Sequence, residues 1–194
     1  MAGVEVIDNM FLGAESFNQD LSNWNTGNMT SMRQTFRDAL AFNQNLGNWN
    51  IMNITDMTSM LNNTNISTEN YDQILLNWSM QNVQSSVVLG AQGLNFCDGE
   101  SARAQLVSSN GWSITDGGQQ TATNTWIGAA SLFWYSDRAN WNLEEFPTTC
   151  SPVILPHLAK VTISDDRKAV AQELTIETGG LLEVENGAEL EVRL

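Results

Sequence analysis

The chain has 194 residues, 42% of them hydrophobic, and its 8 basic and 22 acidic side chains give a net charge of −14. This length allows one or two domains. The charge repels phosphate backbones, which argues against nucleic acid and anionic membranes as partners. No run approaches the ~20 apolar residues that a membrane-spanning helix needs, so we expect no membrane insertion.

Two adjoining stretches near the N-terminus have nearly the same sequence. Residues 10–32 read MFLGAESFNQDLSNWNTGNMTSM and residues 35–57 read TFRDALAFNQNLGNWNIMNITDM, with twelve identical positions. A fixed period of this kind predicts units that bury their apolar faces by stacking. The predicted structural core of the repeats comprises Phe11, Phe17, Leu21, Trp24, Met32, Phe36, Phe42, Leu46, Trp49 and Met57.

Periodicity changes within each copy. Met32, Phe36 and Ala39 recur at helical intervals in residues 31–41, and the equivalent residues of the first copy do the same. The segments NMTSM and NITDM alternate apolar and polar residues as short strands do. One helix, one loop and one strand per copy predict an α/β fold, a leucine-rich-repeat-like solenoid.

The third copy departs from the pattern and is expected to form a helical and strand cap. Ser67 begins a predicted helix whose apolar residues, from Tyr71 to Trp78, share one face. A strand is predicted at 86–90, a second helix at 98–109 with Gly111 as its stop, and a last strand at 112–115.

After a predicted linker at 117–121, the C-terminal part changes character. In residues 173–194, Leu174, Leu182 and Leu190 recur every eight residues and alternate with polar ones, which predicts strands with one buried face. We therefore expect a smaller all-β, β-solenoid-like domain. The predicted domains are 1–118, the repeat solenoid with its cap, and 119–194, a truncated β-rich domain. The natural chain is expected to begin upstream, because the repeat is already under way at residues 4–7.

The repeat closely resembles the BspA-like surface-protein repeat of bacterial cell-surface proteins, whose pattern is M-F-x-x-A-x-x-F-N-Q-D-L-S-x-W-N-T-x-x-V-T-x-M. The second copy departs from the pattern at Thr35, Asn45, Gly47 and Ile51. Residues 70–118 and 125–156 look like segments of exported, multi-domain bacterial proteins. The positions of the first copy that match the repeat pattern are Met10, Phe11, Ala14, Phe17, Asn18, Gln19, Asp20, Leu21, Ser22, Trp24, Asn25, Thr26, Thr30 and Met32.

The resemblance implies a non-enzymatic binding or adhesion module, extracellular or at the cell surface, that presents its repeats to a protein or glycan partner. The alternative is an accessory or spacer domain of a larger exported, polysaccharide-degrading enzyme. An ice- or carbohydrate-binding face of Thr and Asn rows is a third, weaker possibility.

The repeated polar and aromatic residues each allow two interpretations. Trp24 and Trp49 could form a sugar-binding row, and the repeated asparagines a polar binding face. Core packing and satisfaction of turn backbones explain both sets more simply. Binding is instead expected at exposed, non-repeating positions, such as Glu15, Thr26, Gly27 and Arg37.

No catalytic, cofactor or metal residues are predicted. His157 has no Ser or Cys motif beside it, and the adjacent acids at 144–145 and 165–166 point apart, which does not suit an acid–base pair. Cys97 and Cys150 either pair across two domains or are buried thiols, and buried thiols are the preferred interpretation. Weak calcium binding is allowed by the turn aspartates Asp8, Asp20, Asp38, Asp56 and Asp116, although no calcium-binding spacing is present.

Overall fold

The computed structural model describes residues 3–128, 133–135, 138–143, 146–164 and 167–192. The chain divides into two compact units, Met1–Gln119 and Gln120–Leu194. The elements of the first unit are α1 (Thr68–Ser79), β1 (Val88–Gly90), β2 (Asn95–Phe96), α2 (Glu100–Asn110), β3 (Ser113–Thr115) and β4 (Gly118–Gln119). Those of the second unit are β5 (Asn124–Thr125), a 3-10 helix (Arg138–Asn140), β6 (Pro152–Leu155), β7 (Lys160–Ile163), β8 (Lys168–Ala171), β9 (Glu173–Ile176), β10 (Leu181–Val184) and β11 (Glu189–Val192). The acidic pairs at 144–145 and 165–166 lie outside the described residues.

In the first unit, successive copies of the repeat lie side by side and share backbone hydrogen bonds. Isolated parallel bridges join Val6 to Ser31 and Ser31 to Asp56, so equivalent positions of successive copies are paired. In the first half of each copy, alternate N–H groups donate to the next copy, as Asn9 does to the carbonyl of Arg33. The N–H groups between them close turns within their own copy. Each turn segment therefore depends on its neighbour for half of its backbone hydrogen bonds.

Left-handed residues prevent the helices predicted within the repeats. A left-handed residue interrupts an α-helix, because helical N–H to carbonyl bonds need right-handed φ throughout. Residues 31–41 consequently form turns, not the predicted helix. Each copy has two such positions, with φ between 55° and 67°: Asn9, Gln34 and Ser59 at one, and Gly13, Asp38 and Asn63 at the other.

The two helices predicted after the repeats are confirmed. The hydroxyl of Ser67 caps α1 by accepting a hydrogen bond from the N–H of Asn70. Gly111, with a φ of 69°, ends α2 as predicted. The predicted strands survive as the shorter β1 and β3, which pair in parallel. The predicted linker is wrong in part, because β4 lies within it and pairs with β2.

The second unit pairs each of three consecutive strands with the strand three places further along the chain. β6 pairs with β9, β7 with β10 and β8 with β11, all in parallel, and β5 adds to the first pair as a third strand. Small and aliphatic side chains of β6, β7 and β8 fill its core together with three tryptophans. The buried residues are Trp126, Trp134, Trp141, Val153, Leu155, Val161, Ile163, Ala169 and Ala171.

The predicted fold class is therefore wrong. A leucine-rich-repeat-like solenoid would place a helix in each copy, whereas residues 3–63 contain no α-helix. Within the described residues, strands form short parallel pairs and one three-stranded sheet, with no closed sheet. The β-solenoid-like prediction is wrong as well, because it needs the octads of residues 173–194 to stack on one another, whereas β9, β10 and β11 pair instead with β6, β7 and β8.

Candidate functional site

The predicted core residues of the repeats lie inside the first unit or at its margin. Their rings stack between equivalent positions, with ring centroids 5.3 Å apart for Phe11 and Phe36 and 6.0 Å apart for Trp24 and Trp49. Phe17 stacks on Phe42 at 5.9 Å. Phe11, Phe17 and Trp24, all in the first copy, are half-buried. The remaining predicted core residues are buried: Leu21, Met32, Phe36, Phe42, Leu46, Trp49 and Met57.

Indole N–H groups connect successive copies, a feature that sequence reasoning missed. Trp49 Nε1 donates to the carbonyl of Leu21 over 3.1 Å, and Trp78 Nε1 donates to the carbonyl of Leu46 over the same distance. Trp112 Nε1 likewise donates to the carbonyl of Gln84. The recurrence of a tryptophan after each polar loop was the available sequence signal. It was hidden because Trp78 lies on a helix.

Most of the repeated asparagines satisfy backbone groups of neighbouring copies or of their own turns. Asn18 Oδ1 accepts from the N–H of Asn43 (2.9 Å), and Asn43 Oδ1 in turn accepts from the N–H of Ser67 (2.9 Å). The amide oxygens of Asn25 and Asn50 accept N–H groups two residues further on. These side chains are engaged in the fold.

Asn23 and Asn48 are the repeated pair in which neither amide is engaged in this way. They occupy equivalent positions in two copies, both are exposed, and neither side chain makes a hydrogen bond within the described residues. Each directly precedes a tryptophan of the stacked pair, whose ring centroids lie 6.0 Å apart. We call these two side chains the amide row. The row is repeated although the fold does not use it.

The expected non-repeating binding positions fare differently from one another. Thr26 is buried, and its hydroxyl donates to the carbonyl of Asn50 over 3.0 Å, so it offers no surface. Glu15 is exposed and Gly27 is half-buried. Arg37 pairs with the adjacent Asp38, with an Nε–Oδ2 distance of 3.2 Å.

Asp72 of α1 connects the two helices by binding the residues directly before α2. Its buried carboxylate accepts the N–H groups of Cys97, Asp98 and Gly99 over 2.8–3.1 Å. Gly99, the residue before α2, has no side chain to cap this helix, so Asp72 supplies the negative group that a helix N-terminus favours. Burial raises the pKa of Asp72, and the three backbone hydrogen bonds only partly oppose that shift.

A second buried carboxylate, Asp116, holds the other side of the helix pair. Arg103 donates to it through Nε (2.7 Å) and Nη2 (3.1 Å), and the hydroxyl of Tyr71 donates over 3.1 Å. Burial raises the pKa of Tyr71 well above its ordinary value, and the Asp116 charge adds to the shift. Because every group in this cluster is paired with another, the arrangement suits a structural role.

The turn aspartates that were considered for calcium accept hydrogen bonds from protein groups. Asp8 accepts from Ser31 and from the N–H of Arg33, and Asp56 accepts from the N–H of Thr58. The hydrogen bond from the N–H of Ser22 lowers the pKa of Asp20.

His157 and the two cysteines complete the set of residues considered from the sequence. His157 is exposed, and its Nδ1 contacts the carbonyl of Thr178. Neither Cys97 nor Cys150 is a free thiol, because both are disulfide-bonded. The preferred interpretation of two buried thiols is therefore wrong. No spacing in the sequence signals this bond.

Comparison with known proteins gives a match to a family model. Residues 1–96 match the model of a family described as "Mycoplasma protein of unknown function, DUF285". No curated protein and no solved structure matches the chain. Among the described residues, no helix combines the length and the apolar character needed to cross a membrane.

Proposed function

We propose that this chain is a non-enzymatic binding module of the BspA-like kind, which presents its repeats to a protein or glycan partner outside the cell. The observation that carries the proposal is the amide row. Asn23 and Asn48 are identical in two copies, yet they are exposed and make no hydrogen bond within the described residues. Repetition of a side chain that the fold does not use is expected where a partner uses it.

The chemistry of the amide row suits a polar, uncharged contact. Each Asn side chain offers one acceptor oxygen and two N–H donors. The adjacent tryptophans stack with an interplanar angle of 5°, which holds the two backbones in a fixed relation. A ligand that spans the row would therefore meet two amides that project from backbone positions at a set spacing.

The oxidised state of the cysteines supports an extracellular location. Disulfides form and persist in oxidising compartments and are rare in the cytosol, where thiols are kept reduced. Both cysteines of this chain are disulfide-bonded. Intact mass measurement of protein from the native host, before and after reduction, should show a gain of two hydrogens. A native chain already carrying two free thiols would contradict this location.

The binding proposal is tested with the full chain on a glycan array and on a panel of immobilised surface and matrix proteins. We expect the parent chain to bind at least one of them, and Asn23→Ala/Asn48→Ala to weaken that binding about tenfold through the lost hydrogen bonds. The matched control is Gln73→Ala/Gln172→Ala, which removes two exposed amides elsewhere and should bind as the parent does.

Two results would overturn the proposal. One is a parent chain that binds nothing on either panel, and the other is an Asn23/Asn48 double variant that binds as tightly as the parent. Mass spectrometry of the array supernatant tests the non-enzymatic part, since cleaved glycan products would indicate turnover.

A further inference from the structure

The second unit contains a cavity of about 220 Å³, and all the residues that line it belong to this unit. Phe133, Trp134 and Tyr135 line one side of it, and Thr162 of β7 lines it together with Ser164 and Arg167, which follow β7 in the chain. Ligand pockets for drug-sized molecules occupy roughly 300–1,000 Å³, so this cavity suits a smaller ligand.

The aromatic side of the cavity is held in place and partly open to solvent. Phe133 bridges to Thr162 of β7 and is 47% exposed, so much of its ring is accessible. The hydroxyl of Tyr135 donates to the carbonyl of Lys168 over 2.7 Å, and its ring packs edge-on against Phe146. A fixed aromatic surface of this kind favours a ligand with a flat apolar face.

The other side of the cavity is polar and offers donors. Arg167 is exposed, and its guanidinium makes no ion pair within the described residues, although acidic side chains outnumber basic ones in the chain by 22 to 8. Trp134, fully buried, also lines the cavity, and its indole N–H has no hydrogen-bond partner in the part of the chain that is described. A buried donor without a partner is uncommon in folded proteins.

Charge selects between ligand classes. The chain carries a net charge of −14, so an anionic ligand would be repelled on approach. A neutral ligand with an apolar face and several hydroxyls matches both sides of the cavity. A hexopyranose ring has these properties.

We propose that this cavity binds a single neutral hexopyranose unit, which stacks on Phe133 and donates and accepts hydrogen bonds at the side lined by Thr162, Ser164 and Arg167. This site lies in the second unit and is independent of the amide row, so either proposal can fail without the other.

The test uses saturation-transfer NMR on the full chain with the methyl glycosides of glucose, galactose and mannose, each at about millimolar concentration. We expect at least one glycoside to receive saturation and to shift the indole N–H resonance of Trp134, which Trp134→Phe identifies. Phe133→Ala and Arg167→Ala should each weaken binding about tenfold or more. Leu158→Ala and Arg33→Ala, which change an exposed apolar side chain and an exposed arginine outside the cavity, should bind as the parent does.

A glucuronic acid arm tests the charge argument, and we expect weaker binding than for glucose. Tighter binding of the acid would overturn the neutral ligand class. The site itself would be overturned if no glycoside binds to the parent chain, or if Phe133→Ala and Arg167→Ala bind as well as their controls.

Discussion

Within each of the two units, neighbouring segments of backbone are held together by side chains, but the kind of side-chain contact differs between the units. In the first unit, neutral groups connect the copies: indole N–H groups and Asn amides reach carbonyls and N–H groups of the adjacent copy. In the second unit, aliphatic and alanine side chains fill the space between paired strands, and Lys168 lies near Glu189 and Glu191 of the partner strand. Hydrogen bonds between neutral groups resist screening by salt, whereas exposed ion pairs do not. The two units should therefore respond differently to mutation and to salt.

The largest expected effect comes from Trp49→Ala in the first unit. The side chain is fully buried between Trp24 and Phe36, and its loss also removes one of the two donors to the carbonyl of Leu21, which keeps only the N–H of Trp24. We expect a loss of about 3–5 kcal/mol in the free energy of unfolding, measured by urea denaturation followed by circular dichroism. Trp24→Ala, at a half-buried position, should cost clearly less, and equal losses would contradict the assigned burial.

Arg103→Met should have the next largest effect. It leaves the Asp116 carboxylate, whose side chain is only 2% exposed, without its two-point partner. The Tyr71 hydroxyl remains as a donor, and the Arg103 side chain is 27% exposed, so we expect a loss of about 1–3 kcal/mol. Arg103→Lys should recover only part of it, because an ammonium does not reproduce the paired contact. Full recovery by Lys would show that the geometry of the guanidinium is unimportant.

Asp72 should make stability depend on pH in a defined direction. Burial raises its pKa in the folded chain above the unfolded value near 3.8, so the folded state binds the proton more tightly. The contribution of this group to stability therefore rises as pH falls from the folded pKa towards 3.8, and it is lower and constant above that window. Urea unfolding of parent and Asp72→Asn across this range should show the difference. A parent-minus-variant difference that falls with decreasing pH would contradict the assigned shift.

The smallest effect is expected in the second unit, at the exposed ion pair. Lys168 Nζ lies 2.5 Å from a carboxylate oxygen of Glu191, and the lysine side chain is 50% exposed. Glu191→Gln should cost about 0.2–1 kcal/mol at low salt and nothing measurable in about 1 M salt. Glu185→Gln, an exposed acid for which no ion pair is seen among the described residues, is the control. A loss that persists in high salt would erase the contrast between the two units.

Local signals in the sequence predicted α1 and α2, because a capping serine and a terminal glycine act within a few residues. The helices within the repeats were predicted wrongly for a local reason too. Residues such as Gln34 and Ser59 adopt left-handed backbone without being glycine, so composition gave no warning. The alternating hydrogen bonds connect different copies, so no local pattern in the sequence predicts them. The spacing of Met32 and Phe36 is that of an amphipathic helix, although these residues lie in turns.

Neither the strand pairing of the second unit nor the exposure of the amide row in the first could be predicted from the sequence. The apolar positions of β6 and β9 do match in register, as Val153 and Leu174 show. In the sequence, however, the eight-residue spacing that runs through β9, β10 and β11 is the stronger pattern. The sequence identified Asn23 and Asn48 only as two of many repeated amides. Their exposure and lack of partners within the described residues distinguish them from Asn18 and Asn43.

The third copy shows where this chain accommodates changes in length. Parallel bridges link Val6 to Ser31 and Ser31 to Asp56 over equal steps in the sequence, whereas the bridge from Met57 to Leu89 spans a longer one. The additional residues lie in the segment between these two bridged residues, which contains α1. The next pair, Val88 and Ser113, is again separated by the same number of residues as the first two pairs. In this chain the change in length therefore lies on one side of the third copy, while the parallel pairing on the other side continues. A copy of such a repeat can therefore become longer on the side that carries α1 without shifting the parallel bridges that connect it to its neighbours.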